Sequence, residues 1–297
     1  MKADSKAIAH AVQKVRRLFP DNAEKIVVYD EGEDFLALDI RGEWIFLFPK
    51  NPRAVEALGV EIRLLPAIAK RVPLPIPYIE YARSDFIGYR KIHGVRLASD
   101  VIRSWDSVTR FRCAKQLGEF LGRLHTFPPE EAREAGVSDS SAAWRFQAYR
   151  NVCEYVLPSL KKRVVQNVVG FFDRYHAMPW ESLLIHGDLS FEDHVFFNPT
   201  KKEIAGIIDF GDIALDDPAH DFQCVLEDGG VEFFHLVSSF YTGKLDPLLG
   251  EKTQLRIRAR PLFDAGWVYE THQEERFKIR VEEIDRLFEK PYTPFQV

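Results

Sequence analysis

The sequence has 297 residues, of which 46% are hydrophobic and 29% are charged, and its formal net charge is −5. This length suits one two-lobed domain or two ordinary domains, and the composition excludes a disordered chain. The negative charge argues against nucleic acid as the partner. The sequence has no apolar run of membrane-spanning length, no apolar signal core in residues 1–17, and three widely spaced cysteines (Cys113, Cys153, Cys224) that we interpret as reduced. We therefore predict a cytoplasmic protein without a membrane segment.

The first 92 residues predict two helices and a set of short strands. Apolar residues at Ile8, Val12, Val15 and Leu18 recur with helical spacing, so a helix is expected at 5–19. A second helix is expected at 53–69, and strands are expected at 25–29, 35–40, 43–48, 78–82 and 86–91. Prolines at positions 73, 75 and 77 form a rigid connector before the last two strands.

Beyond residue 92 the pattern becomes mostly helical, with short apolar runs between the helices. Helices are expected at 108–124, 144–157, 161–175, 231–241, 252–267 and 271–288, and short strands at 182–185, 195–197 and 204–208. Residues 128–141 are expected to form a polar connection, and residues 226–230 to break the helical pattern. His125, at the end of the first of these helices, is interpreted as a buried donor or a cap and not as a metal ligand.

The stretch 186–222 contains three acidic segments separated by short apolar runs. Phosphoryl transfer needs an acceptor hydroxyl that is oriented and loses its proton, and Mg²⁺ that neutralises the phosphate charge. Asp188 can accept that proton, and Asp209, at the end of an apolar strand, can bind magnesium through carboxylate oxygens. A single loop aspartate often only caps a turn, so the ordered set of three segments carries this prediction.

These segments resemble the catalytic loop and the metal-binding turn of the aminoglycoside phosphotransferase family, which are small-molecule relatives of the protein kinases. Residues 186–188 (His-Gly-Asp) stand where kinases have His-Arg-Asp, and residues 209–211 (Asp-Phe-Gly) match the kinase metal turn. The resemblance covers most of the chain and is closest to the 2″-phosphotransferase branch. It implies that Asp188 is the base or hydroxyl orienter and that Asp209 is the main metal ligand.

The same resemblance implies supporting roles for two residues of this stretch. His186 is expected to hold the catalytic loop through backbone hydrogen bonds, and Asp221 to support that loop from the following helix. The neighbouring acids Asp212, Asp216 and Asp217 are interpreted as solvated caps of the turn.

The second magnesium ligand has two candidates. In the family, an asparagine or histidine five residues after the catalytic aspartate binds the metal, and that count leads to Asp193. Counting back from Asp209, the family spacing leads instead to His194, which also begins the matching His-Val-Phe-Phe run. Carboxylate oxygen is the better magnesium ligand and imidazole suits softer metals, so both residues remain candidates.

The nucleotide-binding half departs from the family at one position. Residues 44–50 resemble the third strand of the 2″-phosphotransferases, in which a basic residue contacts the α- and β-phosphates, but Leu47 occupies that position. Lys50 is the candidate replacement, with a solvated turn lysine as the alternative. Glu61 stands where the family has the glutamate that pairs with the strand lysine, and the loop 30–34, over the expected phosphate site, is acidic and contains only Gly32.

Residues 86–94 resemble the hinge that joins the two lobes of the family. Backbone groups near Arg90 and Ile92 would hydrogen-bond the purine base there, with an ordinary edge strand as the alternative. In the family, acidic residues of the C-terminal helices bind the amines of the acceptor. The candidates in this sequence are Glu227, Asp228, Asp264 and Glu270.

Together these features predict an α+β, kinase-like fold with an antiparallel-sheet lobe at 1–92 and a mostly helical lobe at 93–297. The predicted function is Mg²⁺-dependent transfer of the γ-phosphate of ATP or GTP to a hydroxyl of a small molecule, with a cationic aminoglycoside as the first acceptor suggested by the resemblance. A second hypothesis is a catalytically weak or inactive kinase-like protein that binds a nucleotide or a partner. Leu47, the acidic loop and the altered metal loop favour that second hypothesis, whereas Asp188, Asp209 and the hinge argue against it.

Overall fold

A computed structural model describes residues 4–19, 25–139 and 141–294, with the side chains of residues 141 and 142 outside that description. The N-terminal part contains helices α1 (Ser5–Leu18) and α2 (Pro52–Ile68) and strands β1 (Ile26–Tyr29), β2 (Phe35–Ile40), β3 (Trp44–Pro49), β4 (Ile79–Arg83) and β5 (Phe86–Arg90). The five strands form one antiparallel sheet in the order β1-β2-β3-β5-β4. All five predicted strands are therefore confirmed, each within a residue or two of its expected bounds.

The two faces of this sheet bury different helices. Side chains alternate between faces along a strand, so β3 directs Trp44 and Phe46 to one side and Leu47 to the other. On the first side, Ala11 and Val15 of α1 pack against the aromatic residues. On the second side, Leu47 borders a cluster that contains a buried leucine of α2 and Ile87 and Tyr89 of β5. The sheet is thus covered on both faces.

The rest of the chain is mostly helical, as predicted. Its helices are α3 (Ser99–Arg103), α4 (Ser107–His125), α5 (Pro129–Glu134), α6 (Ser141–Asn151), α7 (Lys162–Ala177), α8 (Phe191–His194), α9 (Phe222–Ser239), α10 (Leu249–Glu270) and α11 (Glu274–Leu287). A π-helical turn and a 3-10 turn fill 152–159, and another 3-10 turn spans Pro218–His220. The leucines of α2 at 64 and 65 join the main core of this part, which makes α2 the packing link to the sheet.

Short strands between these helices position the acidic segments. They are β6 (Val95–Arg96), β7 (Leu183–Ile185), β8 (Val195–Asn198), β9 (Glu203–Ile207) and β10 (Ala214–Asp216). β7 pairs with β10, and β8 pairs with both β6 and β9, all antiparallel. The loop after β7 and the turn after β9 consequently lie side by side.

Two local features differ from the sequence-based expectations, and a third agrees with them. Residues 128–141 are not only a polar connection, because they include α5, whose Ala132 is buried in the main core. Residue 140 of that segment lies outside the described residues. The break expected at residues 226–230 is confirmed at its last residue, Gly230, where φ is 77° and helix α9 kinks. The strands β6 and β10 were missed because two or three residues are too few to show a period.

The α+β class, with an antiparallel sheet followed by a mostly helical part, is thus confirmed, while the division between residues 92 and 93 remains a prediction. Within the described part of the chain, no helix is both long enough and apolar enough to cross a membrane.

Candidate active site

Asp221 is the buried carboxylate that fixes the loop after β7. Its Oδ2 accepts hydrogen bonds from the backbone N–H of His186 at 2.8 Å and from Nε2 of His125 at 3.0 Å, and its Oδ1 accepts one from the N–H of Gly187 at 3.0 Å. Burial opposes ionisation of this carboxyl, but these bonds and the charge of His125 outweigh burial and hold its pKa at about 2. The supporting role that the sequence suggested for Asp221 is therefore visible as direct contacts.

Gly187 is required by the conformation of this loop. Its φ is +88°, and an added Cβ would collide with the carbonyl oxygen of Asp212. A side chain at this position would be strained by its backbone angle and would also push the loop away from the turn after β9. The glycine therefore permits the close approach of the two acidic segments.

His186 links the same two segments. Its Nε2 donates to the carbonyl oxygen of Ile208 at 3.0 Å, and its Nδ1 accepts a bond from the N–H of Asp188 at 3.4 Å. Burial lowers the pKa of this imidazole, so the neutral ring keeps one donor and one acceptor. The ring also packs on Phe210, with centroids 4.6 Å apart. His186 thus has the structural role predicted from the sequence.

His194 lies between the two predicted site aspartates. Its Nε2 is 3.3 Å from Oδ2 of Asp209, and its Nδ1 is 2.6 Å from the carbonyl oxygen of Asp188 and 3.8 Å from that residue's Oδ2. Burial disfavours the charged imidazole, but the hydrogen bond to Asp209 and the charge of Asp209 outweigh burial and raise the pKa of His194 to about 9. His194 is consequently a cation at neutral pH.

The surroundings shift the pKa values of Asp188 and Asp209 in opposite directions. Burial raises the pKa of Asp188 above its ordinary value, and His194 opposes that rise. Burial also acts to raise the pKa of Asp209. The hydrogen bond from His194 and the charge of His194 outweigh burial, so the pKa of Asp209 is lowered. Asp209 also has φ of +64°, an uncommon backbone conformation for a residue with a side chain. Asp209 is therefore kept as a carboxylate.

Asp193 is placed differently from His194. Its Oδ1 is 3.2 Å from Nη1 of Arg96, and its Oδ2 accepts a bond from Oγ of Ser190 at 3.2 Å. Of the two candidate second ligands, the structure brings only His194 to Asp209. The described residues contain no cluster of three or more His, Cys, Asp or Glu side chains that could hold a metal by itself. One carboxylate and one imidazole fit a Mg²⁺ ion that takes its remaining ligands from phosphates and water.

The region that faces this site from the sheet contains a buried carboxyl group without a cation. Glu61 of α2 is 4% exposed and makes no hydrogen bond or ion pair with another described residue. Burial, and secondarily the charge of Asp209, raises its pKa to about 8. The same influences, together with the charge of Glu61, raise the pKa of Tyr89. With Leu47 in the place of a basic residue, Glu61 is therefore mostly protonated at neutral pH.

Lys50 binds the acidic loop 30–34. Its Nζ is 2.6 Å from Oδ1 of Asp30 and donates to the carbonyl oxygen of Gly32 at 2.5 Å. The next residue, Asn51, donates to Asp34 at 2.7 Å and also caps α2 by accepting from the N–H of Ala54. Lys50 therefore partly neutralises this loop and holds it against the end of β3.

At the predicted hinge, the side chain of Arg90 is held by neighbouring residues, whereas the backbone of Ile92 makes no hydrogen bond to another described residue. The guanidinium of Arg90 lies 3.9 Å over the ring of Trp44 and 3.6 Å from Glu80. No backbone hydrogen bond joins Ile92 to another residue that the structure describes. The side chain of Arg90 is thus occupied by the sheet, whereas the peptide groups at Ile92 can bind another molecule.

A cavity of about 560 Å³ opens beside Asp188. Asp188 and its neighbours in the loop form one wall, and α10 forms the opposite wall through residues that include Asp264 and Glu270. Two of the four predicted acceptor-binding acids therefore line the cavity. Of the other two, Glu227 is bound by Arg260 through two hydrogen bonds of 2.6 and 2.8 Å, and Asp228 is not part of the lining.

Sequence reasoning missed the ion pairs beneath this cavity. Asp216 accepts hydrogen bonds from Arg145 at 2.6 Å and from Arg256 at 2.9 Å, and Asp217 accepts one from Lys252 at 2.8 Å. Both aspartates are buried, so the interpretation of them as solvated is wrong, whereas Asp217 does cap the turn Pro218–His220 by accepting from the N–H of Ala219 at 3.0 Å. Their basic partners are supplied by α6 and α10, at least 35 residues away in the chain, and no local pattern reveals them.

The first prediction concerns Gly187. Gly187→Ala should lower the free energy of unfolding by roughly 1–3 kcal/mol, because the positive φ and the contact with Asp212 both become strained. Urea denaturation followed by circular dichroism measures the change. The matched control is Gly170→Ala in α7, where no atom lies within 4 Å of an added Cβ. That substitution should stabilise the protein by up to about 1 kcal/mol, and equal destabilisation by the two changes would contradict this account.

The second prediction is a pH dependence of stability. The pKa of Asp221 is about 2 in the folded protein, below its ordinary value of 3.8. A lowered folded-state pKa adds stability that is present above about pH 4 and is lost as the pH falls towards about 2. This contribution amounts to about 2 kcal/mol. The stability difference between the wild type and Asp221→Asn should therefore shrink between about pH 5 and about pH 2 in denaturation experiments.

The control for this titration is Asp173→Asn, which changes an exposed carboxylate of α7. Its stability difference from the wild type should stay constant over the same pH range. A constant difference for Asp221→Asn as well would show that Asp221 is not the group that titrates.

Comparison with known proteins identifies the family. Residues 26–246 match the model of the phosphotransferase enzyme family. The structure of the GDP and kanamycin complex of the aminoglycoside 2″-phosphotransferase APH(2″)-IIIa is 30% identical, with a TM-score of 0.78 over 94% of this chain and 97% of that chain. The ADP-bound APH(2″)-Ib is 18% identical, with a TM-score of 0.76 over 96% of this chain and 98% of that chain.

A third solved structure shares the fold at lower identity. The macrolide 2′-phosphotransferase MphH from Brachybacterium faecium, an apoenzyme, is 19% identical, with a TM-score of 0.73 over 96% of this chain and 99% of that chain. The family match spans well over half of the sequence, and the 30% identity to an aminoglycoside 2″-phosphotransferase extends over nearly all of it. The chain therefore belongs to the phosphotransferase enzyme family and is a kinase-like small-molecule phosphotransferase.

Proposed function

We propose that this protein transfers the γ-phosphate of ATP or GTP, with Mg²⁺, to a hydroxyl group of a small molecule. The observation that carries the proposal is the position of Asp188, which lines the acceptor cavity and lies beside His194 on its other side. Complexes of relatives with GDP and kanamycin and with ADP support a nucleoside triphosphate as the donor. They also make an aminoglycoside the first acceptor to test.

In this proposal Asp188 orients the acceptor hydroxyl and accepts its proton. The carboxylate side chain is 53% exposed, so an acceptor in the cavity can reach it. Burial of the surrounding loop raises its pKa, and a carboxylate with a raised pKa is a stronger base than an ordinary aspartate. The hydrogen bonds of His186 and Asp221 to the loop backbone keep this carboxylate in position.

Asp209 and His194 are the proposed protein ligands of the metal, and the imidazole of His194, a cation in the metal-free protein, would release its proton when the metal binds. Mg²⁺ bound with the nucleotide would neutralise the phosphate charge that develops during transfer. The purine base is placed at the hinge, against the free peptide groups of Ile92 and beside Arg90. This arrangement puts the nucleotide between the sheet lobe at 1–92 and the helical lobe at 93–297.

The test of the base is Asp188→Asn. This variant should fold and bind nucleotide but transfer phosphate at least about a hundredfold more slowly, because the amide cannot accept the hydroxyl proton. Turnover is measured with ATP and with GTP against a panel of aminoglycosides and simpler alcohols. Transfer at the wild-type rate would remove Asp188 from the mechanism.

The second metal ligand is tested by comparing two neighbouring alanine variants. His194→Ala should weaken the Mg²⁺-dependent part of nucleotide binding by about tenfold or more, because a ligand of the metal is lost. Asp193→Ala is the matched control and should have little effect, since its carboxylate binds Arg96 at the surface. Calorimetry with and without Mg²⁺ measures both. The opposite result would make Asp193 the ligand.

A weakly active or inactive protein is the second candidate function, and one observation favours it. Glu61 is buried without a cation, and Leu47 packs where a lysine would contact the phosphates. A missing charge-assisted contact of this type corresponds to roughly 1.5–3 kcal/mol of binding free energy. Weak binding of ATP and GTP is the expected consequence.

Leu47→Lys tests this candidate. The new lysine should tighten nucleotide binding or raise turnover at least about fivefold, because it can contact phosphate oxygens and be oriented by an ionised Glu61. The gain should disappear in the double variant Leu47→Lys with Glu61→Gln. Calorimetry and turnover assays measure the two effects.

Lys50→Ala provides the comparison for this substitution. If Leu47→Lys changes nothing while Lys50→Ala abolishes binding and turnover, Lys50 is the cation that serves the phosphates. If neither substitution matters and no acceptor is phosphorylated, the protein is an inactive relative and the enzymatic proposal is wrong.

A further inference from the structure

Strand β1 is an open edge of the five-stranded antiparallel sheet. Within the described part of the chain, the order β1-β2-β3-β5-β4 leaves one side of β1 without a neighbouring strand. Three of its side chains are exposed, namely Val27 (50%), Val28 (38%) and Tyr29 (45%). Charged residues usually protect such an edge, and β4 at the other edge carries Glu80 and Arg83. β1 is short but has no charged residue or proline, so another strand can be added to it.

The pairing of β1 with β2 shows which backbone groups point to the open side. The register continues from the pair Ile26–Ile40 to Lys25 and Arg41, where the N–H of Arg41 donates to the carbonyl oxygen of Lys25 at 2.9 Å. Hydrogen-bonded pairs alternate along an antiparallel ladder. Every second residue from Lys25 therefore directs its N–H and C=O to β2, whereas Ile26 and Val28 direct theirs outward. Apart from the strand pairs, neither Ile26 nor Val28 makes a backbone hydrogen bond to another described residue.

The two ends of β1 have opposite charges. Lys25 and Arg41 are exposed at the beginning of the strand. The acidic loop 30–34 follows the end of the strand, and Glu31 and Glu33 are exposed there. None of these four side chains forms an ion pair with another residue that the structure describes. A second β1 that runs antiparallel to the first therefore brings each basic end to an acidic end.

One register fits both the outward backbone groups and the side chains. A two-fold symmetric pair centred on Val28 lets the two copies of this residue exchange both N–H···O bonds. Val27 then lies opposite Tyr29 of the second copy, and a β-branched residue opposite an aromatic one stabilises a sheet. Two residues farther out on the same face, Lys25 lies opposite Glu31 of the second copy. The strand is thus complementary to itself in this register.

We propose that β1 is a self-association surface, on which a second copy of this chain adds its own β1 in the antiparallel register centred on Val28. The dimer joins two five-stranded sheets into one continuous sheet. Because each copy contributes a strand of only four residues, the dimer is weak and its population depends on protein concentration.

Sedimentation equilibrium of the full chain tests this proposal. The wild type should form dimers with a Kd in the range of about 1–100 µM. Val27→Lys should raise that Kd at least about tenfold, because the apolar contact with Tyr29 is lost and like charges come together. The control is Val169→Lys, which changes a valine of α7 that is 38% exposed, and it should leave the Kd unchanged. A wild type that stays monomeric throughout this range, or an equal effect of the two substitutions, would overturn the proposal.

Reversal of the charges tests the register. Lys25→Glu should raise the Kd at least about fivefold, because the new acid faces Glu31. Glu31→Lys should weaken the dimer similarly, because the new lysine faces Lys25. The double variant Lys25→Glu with Glu31→Lys restores the opposite charges and should return the Kd to within about threefold of the wild type. A double variant at least as weak as the two single variants would overturn the proposed pairing.

Hydrogen exchange locates the contact independently of substitutions. The N–H of Val28 is free in the monomer and bonded in the dimer, so it should exchange more slowly at concentrations at which the dimer forms. The backbone of β4, the opposite edge of the sheet, is the control and should exchange at the same rate at all concentrations. Concentration-dependent protection at another surface and not at Val28 would overturn the proposal.

Discussion

The bond pattern of one buried carboxylate, Asp221, determines the geometry of the candidate catalytic loop. Three N–H donors converge on it, two from the loop backbone and one from His125. A buried carboxylate with fewer donors would be protonated, whereas these bonds keep it ionised and make it a strong acceptor. Since the loop is held through its backbone, the side chain of Asp188 is left to face the cavity. The glycine at 187 lets this loop contact the neighbouring turn.

The acidic side chains in the cleft between the sheet and the helices have no lysine of the sheet as a partner. His194 lies close to Asp188 and Asp209. The negative charges of these two aspartates help to raise the pKa of His194 to about 9. Glu61 has no such partner, so burial and the charge of Asp209 raise its pKa to about 8. In the proposed reaction, a metal ion bound with the nucleotide would therefore supply most of the positive charge that phosphates require. Lys50, the nearest basic candidate in sequence, is bound by the acidic loop.

The acceptor side is organised by ion pairs between α10 and the acidic segments. Asp216 binds two arginines and Asp217 binds a lysine, all of them buried. Removing one member of such a pair would leave an uncompensated charge in the interior, so these pairs fix α10 relative to the catalytic loop. The same helix presents Arg260 to the cavity, and the position of this cation follows from that packing.

The sequence by itself determined the fold class, the five strands of the sheet, most helices and the two acidic segments, because periodicity and short motifs are local properties of the chain. Its motifs also made Asp188 the predicted base and Asp209 the predicted metal ligand, and both assignments stay predictions. Only the tertiary structure showed that His194 lies beside Asp209 and that Asp193 pairs with Arg96, since both residues lie in the same loop and differ in which neighbour they meet. It alone showed that Asp216 and Asp217 are buried, because their basic partners come from distant helices. The charge balance of the acceptor cavity likewise depends on contacts between residues 33 apart, such as Arg260 and Glu227, which no local pattern encodes.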